Sequence, residues 1–519
     1  MIGARHRSTA QRESRTRGWS ADINHYRVTW ASKDKHDLAP STRWRAMTIT
    51  RTELGGQRMT NLREQAGESF QGGFRGQLFA PDDDGYDEAR KIYNAMIDKR
   101  PGLIARCADV ADVMSAVNLA RDHGWTLAVR GGGHNGAGFG TCDDGLVIDL
   151  SGMKGVRVDP TRRIARIDGG CTLGEVDHAT HAFGLAVPAG VISTTGVAGL
   201  TLGGGIGYLS RKHGLSIDNL LSVDMVLADG SFVQASEEEN ADLFWAVRGG
   251  GGNFGIVTSF EFRLHPVSTV VGGPTLWPLD QAADVMRFYD RFLAESSDDL
   301  NGVFAFLTVP PGPPFPEELH LKKMCAVVWC YLGPQDEADA VFAPVRELGP
   351  PALHGVQPMP FPALQTAFDA LYPPGHQWYW RADFVDELSD EAIARHIEHA
   401  EQLPTMQSGM HLYPIDRSVH QIGSEDTAFN YRSTRWAGVT FGVDPDPANA
   451  PKLRDWAVAY WEALHPHSAG GAYVNFMMEE GQARVEATYR SNYQRLGQIK
   501  ARYDPSNLFR INQNIKPNG

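Results

Sequence analysis

Arg130-Gly131-Gly132-Gly133-His134-Asn135-Gly136-Ala137-Gly138-Phe139-Gly140 decides how this chain is read. The apolar strand Thr126-Leu127-Ala128-Val129 leads into it, and after a turn the chain continues as a second apolar strand, Leu146-Val147-Ile148-Asp149-Leu150-Ser151. Glycines leave backbone N–H groups uncovered, and successive N–H groups aimed into one concavity bind anions such as pyrophosphate. One histidine, His134, stands at the centre of the loop. Gly131 to Gly136 spell G-x-G-x-x-G, but a Rossmann reading needs a helix opening on the last glycine. Here Ala-Gly-Phe-Gly-Thr-Cys-Asp-Asp-Gly follows, which is turn chemistry. A plain structural loop with a satisfied histidine is the alternative, and two later glycine clusters argue against it.

The second cluster runs Gly196-Val197-Ala198-Gly199-Leu200-Thr201-Leu202-Gly203-Gly204-Gly205-Ile206-Gly207-Tyr208. The third is Arg248-Gly249-Gly250-Gly251-Gly252-Asn253-Phe254-Gly255-Ile256-Val257-Thr258, leading into a strand expected at Ser259 to His265. Each taken singly is a tight turn. Three of them, each bordering a strand, are better explained by one extended ligand wrapped in backbone.

The 519 residues exceed one ordinary core, so two or more domains are expected. A net charge of -13 argues against nucleic acid as the main partner. The five cysteines (Cys107, Cys142, Cys171, Cys325, Cys330) form no C-x-x-C pair, so neither a disulfide framework nor a metal site is expected. No segment approaches the roughly 18 apolar residues of a membrane span, and the N-terminus lacks a signal-peptide core. A cytoplasmic location is expected, with no membrane partner.

Residues 1–58 are rich in Arg, Ser and Thr without periodicity. They read as disordered or as a non-native extension, with Met59 opening a more plausible start. A helix is expected over Asp87 to Arg100, a strand at Leu103 to Cys107, and a helix capped by Asp109. Hairpins are expected at 156–167 and at 221–235. After Pro266 the pattern changes to long strands (326–332, 376–385, 408–414, 436–443) alternating with amphipathic helices (334–348, 390–403, 448–464). An antiparallel sheet backed by helices is the simplest architecture. The strand Gln377-Trp378-Tyr379-Trp380-Arg381 carries aromatics, and one of its faces is a candidate pocket wall. The tail holds Tyr473-Val474-Asn475-Phe476, one expected helix over Gly481 to Arg502, and an Asn-rich end through Asn512-Gln513-Asn514-Ile515.

Taken together, Arg130 to His134, Gly196 to Gly207, Phe254 to Val257 and Tyr503-Asp504-Pro505 to Asn514 resemble the covalent-flavin oxidoreductases of the berberine bridge enzyme group, within the vanillyl-alcohol-oxidase (PCMH-type) FAD superfamily. The resemblance implies an α+β fold: a two-part FAD-binding domain at 59–268, a substrate domain with an antiparallel sheet at 269–465, and a tail at 466–519 returning to the FAD domain. It implies FAD bonded through the 8α-methyl to His134. The cofactor-binding set it implies is Arg130, Gly131, Gly132, Gly133, Asn135, Gly136, Gly190, Thr194, Thr195, Gly196, Gly199, Leu200, Gly204, Gly205, Gly207, Tyr208, Gly255, Ile256, Val257, Tyr473, Asn475, Asn512 and Asn514. Many members carry Gly-Val-Cys and a second link at flavin C6; here Gly190-Val191-Ile192 has no thiol, so a single histidyl link is implied, and Cys171 lies in another motif.

The resemblance also makes Tyr473 a candidate base or substrate neighbour. A free phenol has a pKa of about 10, so it needs a cation or hydrogen-bond donors to act as a base. Lys212, Arg211 and Arg435 are the candidate cations; Tyr489 is a weaker candidate, because the usual Tyr-Gly-x-Asn reads Tyr489-Arg490-Ser491-Asn492 here. Thr195 stands where Val in the family goes with oxygen access and Leu with poor reaction with oxygen. The implied activity is an FAD-linked oxidase acting on a small organic substrate, with dioxygen as acceptor and hydrogen peroxide as product. The alternative is an oxygenating tailoring enzyme of secondary metabolism. A binding module that kept the fold without catalysis is disfavoured by the intact loop and His134.

Overall fold

The computed structural model describes residues 73–518 together with Leu62, Ala66, Gly67 and Phe70. The expectation for residues 1–58 lies outside them.

The first sheet contains β1 (Gln77–Phe79), β2 (Leu103–Arg106), β3 (Leu127–Arg130) and β4 (Leu146–Asp149), ordered β1-β2-β4-β3. β2, β4 and β3 are parallel. Parallel strands covered on both faces need apolar residues at successive positions, and here Leu103, Ala105, Leu127, Leu146 and Ile148 pack against Val113, Ala116 and Val117 of the helix Val110–His123. The alternate residues Ile104, Ala128 and Val147 pack on Tyr86 and Ala89. The Asp109 carboxylate caps that helix, accepting from Ala111 N at 3.0 Å and Asp112 N at 3.2 Å.

The chain continues through β5 (Val156–Asp159), β6 (Ile164–Asp168), β7 (Leu185–Ala186), β8 (Leu220–Val226), β9 (Phe232–Ser236), β10 (Ile256–Arg263) and β11 (His265–Pro266). β5-β6-β10-β8-β9 make an antiparallel sheet, and β7 pairs with β11. One face of the five-stranded sheet is solvated, so its strands alternate: Ala165 and Ile167 are buried where Arg166 is exposed.

The third sheet comprises β12 (Thr269–Pro278), β13 (Leu300–Thr308), β14 (Lys323–Tyr331), β15 (Leu353–His354), β16 (Gln357–Pro360), β17 (Gln377–Val385), β18 (Gly409–Pro414) and β19 (Trp436–Asp444). Its order is β15-β12-β14-β13-β18-β19-β17, with β16 also on β12, and it is antiparallel throughout. One face, with Phe304, Phe306, Val327, Trp329, Met410 and Leu412, packs on the helices Ala282–Glu295, Ala338–Glu347, Asp390–Ala400 and Ala450–Leu464. The fold class is the one the sequence implies. The opposite face is free to wall a cavity.

Two local expectations fail, and a third shifts its boundary. The chain over 87–100 is helical only at Tyr86–Ala89; beyond it Asn94 bridges to His376, and its side chain donates to Gly136 O at 2.8 Å and Trp378 O at 3.0 Å. The single helix expected over 481–502 is two, Gln482–Tyr489 and Asn492–Tyr503, broken at Arg490 with φ 47. The strand placed at 259–265 is β10, starting three residues earlier at Ile256. Among the described residues, no helix is long and apolar enough to cross a membrane.

Candidate active site

A cavity of about 840 Å³ lies between the glycine clusters and the free face of the third sheet. The loop after β3 forms its base. Gly133, with φ 72, turns the backbone just before His134 into a conformation that side chains rarely tolerate. The first and second clusters meet backbone to backbone: a methyl group on Gly132 would lie 2.4 Å from Gly196 N, and one on Gly196 would lie 2.3 Å from Gly132 N. Only glycine permits that approach, and it leaves the edges of both loops facing the cavity.

The Arg130 guanidinium is spent inside the protein. It donates to Asp149 Oδ2 at 2.8 Å, Ala89 O at 2.7 Å and Lys91 O at 3.2 Å. Burial pushes the Asp149 carboxyl up, but Arg130 and the hydrogen bonds from Ser151 together outweigh it and hold the carboxyl below its ordinary value. Removing one partner of such a buried pair costs about 3–5 kcal/mol, so this contact fixes the strand end from which the loop departs. Any cofactor-binding part for Arg130 falls to its backbone.

His134 stacks on Tyr93 with ring centroids 4.0 Å apart at 23°. Burial pushes the imidazole down to about 4, against a hydrogen bond to the Thr194 backbone that works the other way. The ring is therefore neutral at pH 7, with one nitrogen held by Thr194. Tyr93 in turn donates its hydroxyl to Tyr372 O. Sequence reasoning missed Tyr93: it stood in the segment expected to be helix.

Tyr473 is buried against the second cluster. Its hydroxyl oxygen accepts Gly205 N–H at 2.9 Å and Asn475 Nδ2 at 2.7 Å. Asn475 also donates to Leu200 O at 3.0 Å. Burial pushes the phenol up to about 12, and the Gly205 and Asn475 bonds pull the other way. None of the three cations expected beside it is there: Arg211 pairs with Asp416, Lys212 with Asp299 and Arg435 with Asp290. Tyr489 lines the cavity, and its buried hydroxyl has no partner among the described residues.

The third cluster is clamped to the tail. Lys500 and Asp504, both fully buried, pair at 2.6 Å, and Lys500 also donates to Asn253 O at 2.6 Å and Phe509 O at 3.0 Å. Asn253 donates to Gln513 O at 3.2 Å, and Asn512 to Gly252 O at 3.3 Å. Asn512 Oδ1 is left buried without a partner among the described residues.

Of the residues picked from sequence, Arg130, Gly131, Gly132, Gly133, His134, Asn135, Gly190, Thr195, Gly196, Gly199, Leu200, Tyr208, Gly255, Ile256, Val257, Tyr473, Asn475 and Asn512 all line this cavity. Six others do not line it. Gly136 sits under Trp380, where a methyl group would lie 1.6 Å from the indole nitrogen, and Gly207 lies against Ala189 O. Thr194 meets His134, Gly204 packs under Phe429 and Tyr473, and Gly205 serves Tyr473 through its N–H. The Asn514 carbonyl accepts from Gln482 at 3.4 Å. Cys171 is fully buried and off the wall, as its motif suggested.

The opposite wall is the free face of the third sheet, read off at every second residue: Val303, Ala305 and Leu307 of β13, Ala326 and Val328 of β14, Trp378 and Trp380 of β17, His411 and Tyr413 of β18, Val439 and Phe441 of β19. The aromatic strand at 377–381 thus lends the cavity its Trp378–Trp380 face. His411 and Tyr413 went unnoticed in the sequence, although polar residues alternating with Met410 and Leu412 were the signal.

A flat dinucleotide fits these surroundings. Backbone edges without side chains, a neutral histidine in the loop, and the unpartnered Asn512 Oδ1 and Tyr489 hydroxyl offer contact and hydrogen bonds along one side.

Residues 101–236 match the FAD binding domain family, and residues 472–516 match the berberine and berberine-like family. An FAD-linked oxidoreductase of Dictyostelium discoideum is 31% identical over 430 residues, covering 82% of this chain and 91% of that one. (R)-6-hydroxynicotine oxidase of Paenarthrobacter nicotinovorans is 30% identical over 478 residues, covering 86% and 97%. The crystal structure of 6-hydroxy-D-nicotine oxidase from Arthrobacter nicotinovorans superposes with a TM-score of 0.76 at 27% identity, covering 86% of this chain and 98% of that one.

Proposed function

The chain belongs to the berberine bridge enzyme-like FAD-linked oxidoreductases, and on that premise we propose that it is an oxidase of small organic molecules whose FAD is held by a single covalent link at His134. In this reading residues 59–268 and 466–519 serve the cofactor and 269–465 the substrate. The bound flavin supplies a two-electron acceptor: hydride leaves a substrate C–H beside a hydroxyl or amine, and the electrons pass on to dioxygen to give hydrogen peroxide.

The protein's share is placement and proton handling. The edges of Gly131–Gly133 and of Gly196 and Gly199 are offered to the pyrophosphate. His134, neutral and held by Thr194 and Tyr93, keeps a lone pair for the 8α carbon. Ile192 on the same wall has no thiol, which limits the attachment to one bond. Tyr473 holds a proton at its phenol oxygen, where two N–H donors favour the phenolate that burial opposes. It either takes the substrate's hydroxyl proton or fixes the substrate beside the flavin. Thr195 lines the cavity and leaves room for oxygen.

The observation that carries this reading is a neutral His134 set in glycine backbone at the base of the cavity, with Tyr473 lining the same cavity. Anaerobic mixing with a panel of alcohols, amines and sugars tests it by flavin bleaching. Bleaching followed by stoichiometric peroxide on admitting air is expected. Bleaching with labelled dioxygen entering the product would instead favour the oxygenating alternative.

A further inference from the structure

Among the residues that line the cavity, Arg130 alone is Asp, Glu, Lys or Arg, and its guanidinium is consumed by Asp149, Ala89 O and Lys91 O. Among the described residues, the cavity lining therefore offers no free charge to a ligand. Several polar groups on the substrate wall are also engaged. The Gln407 side-chain nitrogen donates to Leu371 O at 2.7 Å, and Ser408 Oγ accepts Val443 N–H at 3.0 Å.

His411 is different. Its Nδ1 lies 2.9 Å from the Tyr413 hydroxyl, and its Nε2 has no partner among the described residues. The residue lines the cavity. Phe441 and Tyr372 cage the ring edge-on at centroid distances of 4.7 and 6.4 Å. Burial pushes the imidazole down to about 4, so it enters the site uncharged. Where Tyr413 donates to Nδ1, the ring proton sits on Nε2.

From this we infer that the substrate is a neutral, flat, ring-bearing alcohol, stacked among Trp378, Trp380 and Phe441, with its hydroxyl oxygen accepting a hydrogen bond from His411 Nε2. The assignment rests on the oxidase reading above and narrows it. Two competing classes fail on physical grounds. An ammonium entering this cavity would lose its hydration with no carboxylate in return. An oligosaccharide would leave most of its hydroxyls facing aromatic and aliphatic carbon, and each unmatched one carries a desolvation cost. An aryl or polycyclic alcohol instead meets ring faces and needs a single polar partner. A hydrogen bond to its oxygen leaves the hydroxyl's own proton free to depart.

The test is calorimetric titration, under nitrogen and with the flavin held reduced so that nothing turns over, of the flavin-loaded protein with 2-naphthalenemethanol, 2-methylnaphthalene, 2-naphthylmethylamine and cellobiose. The alcohol is expected to bind about tenfold or more tightly than the amine or cellobiose, and about tenfold more tightly than the hydrocarbon, the size of one net hydrogen bond. His411→Ala should abolish the preference of alcohol over hydrocarbon while leaving hydrocarbon binding in place. His411→Gln, which keeps a donor, should retain that preference and serves if the alanine variant does not fold. Equal or tighter binding of cellobiose or the amine overturns the assignment. So does an equal loss of alcohol and hydrocarbon binding in the variants, which marks His411 as packing. Anaerobic bleaching separates this from the parent reading: bleaching by cellobiose alone refutes the substrate class and keeps the oxidoreductase. If alcohol binds as expected and neither it nor a wider substrate panel bleaches a flavin that dithionite reduces, the site preference stands and the oxidase reading falls.

Discussion

Asn475 Nδ2 donates to the Tyr473 hydroxyl oxygen at 2.7 Å, two residues along the same tail segment. Gly205 N–H donates to the same oxygen, and among the described residues no cation pairs with it, so its ionisation is governed by burial against hydrogen bonds from Gly205, Asn475 and the Ile206 backbone. Tyr473→Phe should slow anaerobic flavin reduction by roughly 10²-fold, the lower range for a general base. Unchanged reduction at saturating substrate would assign Tyr473 to packing.

The same pair sets a pH dependence. Burial raises the phenol to about 12, and the Asn475 bond opposes the rise. If phenolate is the working form, reduction quickens as pH climbs toward that value, and Asn475→Ala moves the alkaline rise further up. A profile that stays in place in the variant would show that the bond does not tune Tyr473.

Position 192 carries isoleucine on the cavity wall. Proteolytic mapping of the purified protein should therefore yield one flavin-bearing peptide, containing His134. A flavin–cysteine peptide would refute the single link; the five cysteines are all buried, and none lines the cavity.

Thr195 tests the oxygen side. Its backbone N–H closes a turn on Ile192 O at 3.2 Å and its carbonyl accepts Leu173 N–H at 2.9 Å, while the residue lines the cavity. Thr195→Leu fills that space and should slow reoxidation by air far more than it slows reduction. Equal reoxidation rates in stopped-flow mixing with oxygen would remove this role. An altered resting flavin spectrum in the wild-type protein would favour the oxygenating chemistry.

Gly132→Ala probes the contact between the two glycine clusters. The added methyl meets Gly196 N at 2.4 Å, a backbone atom that cannot rotate away. A destabilisation of about 1–3 kcal/mol, the usual range for overpacking, should appear as a lower Tm together with weaker flavin retention. An unchanged Tm would mean that the two loops part easily.

Much of this was legible because it rests on period and on glycine. Strands such as β17 and β19 show in their alternation, and the three glycine clusters read as one ligand wrap, although the second folds as the helix Val197–Leu202 and borders no strand. What escaped depends on contacts distant in sequence. The run 87–100 has helical composition, but Asn94 is drawn out to bridge Gly136 and Trp378. The helix at 482–503 breaks at Arg490, whose guanidinium lies 3.7 Å over the Tyr431 ring and donates to Ala469 O at 2.9 Å. Arg211, Lys212 and Arg435 suited Tyr473 by charge alone, and each found a carboxylate elsewhere. Tyr93 beside His134 and His411 beside Tyr413 become functional candidates only once the strands are paired.

The covalent link at His134 is the claim on which the rest leans. Acid precipitation of the purified protein measures it directly. The account predicts a yellow pellet, a nearly colourless supernatant, and release of the colour in His134→Ala. A colourless pellet with free FAD in the supernatant of the wild-type protein would contradict it.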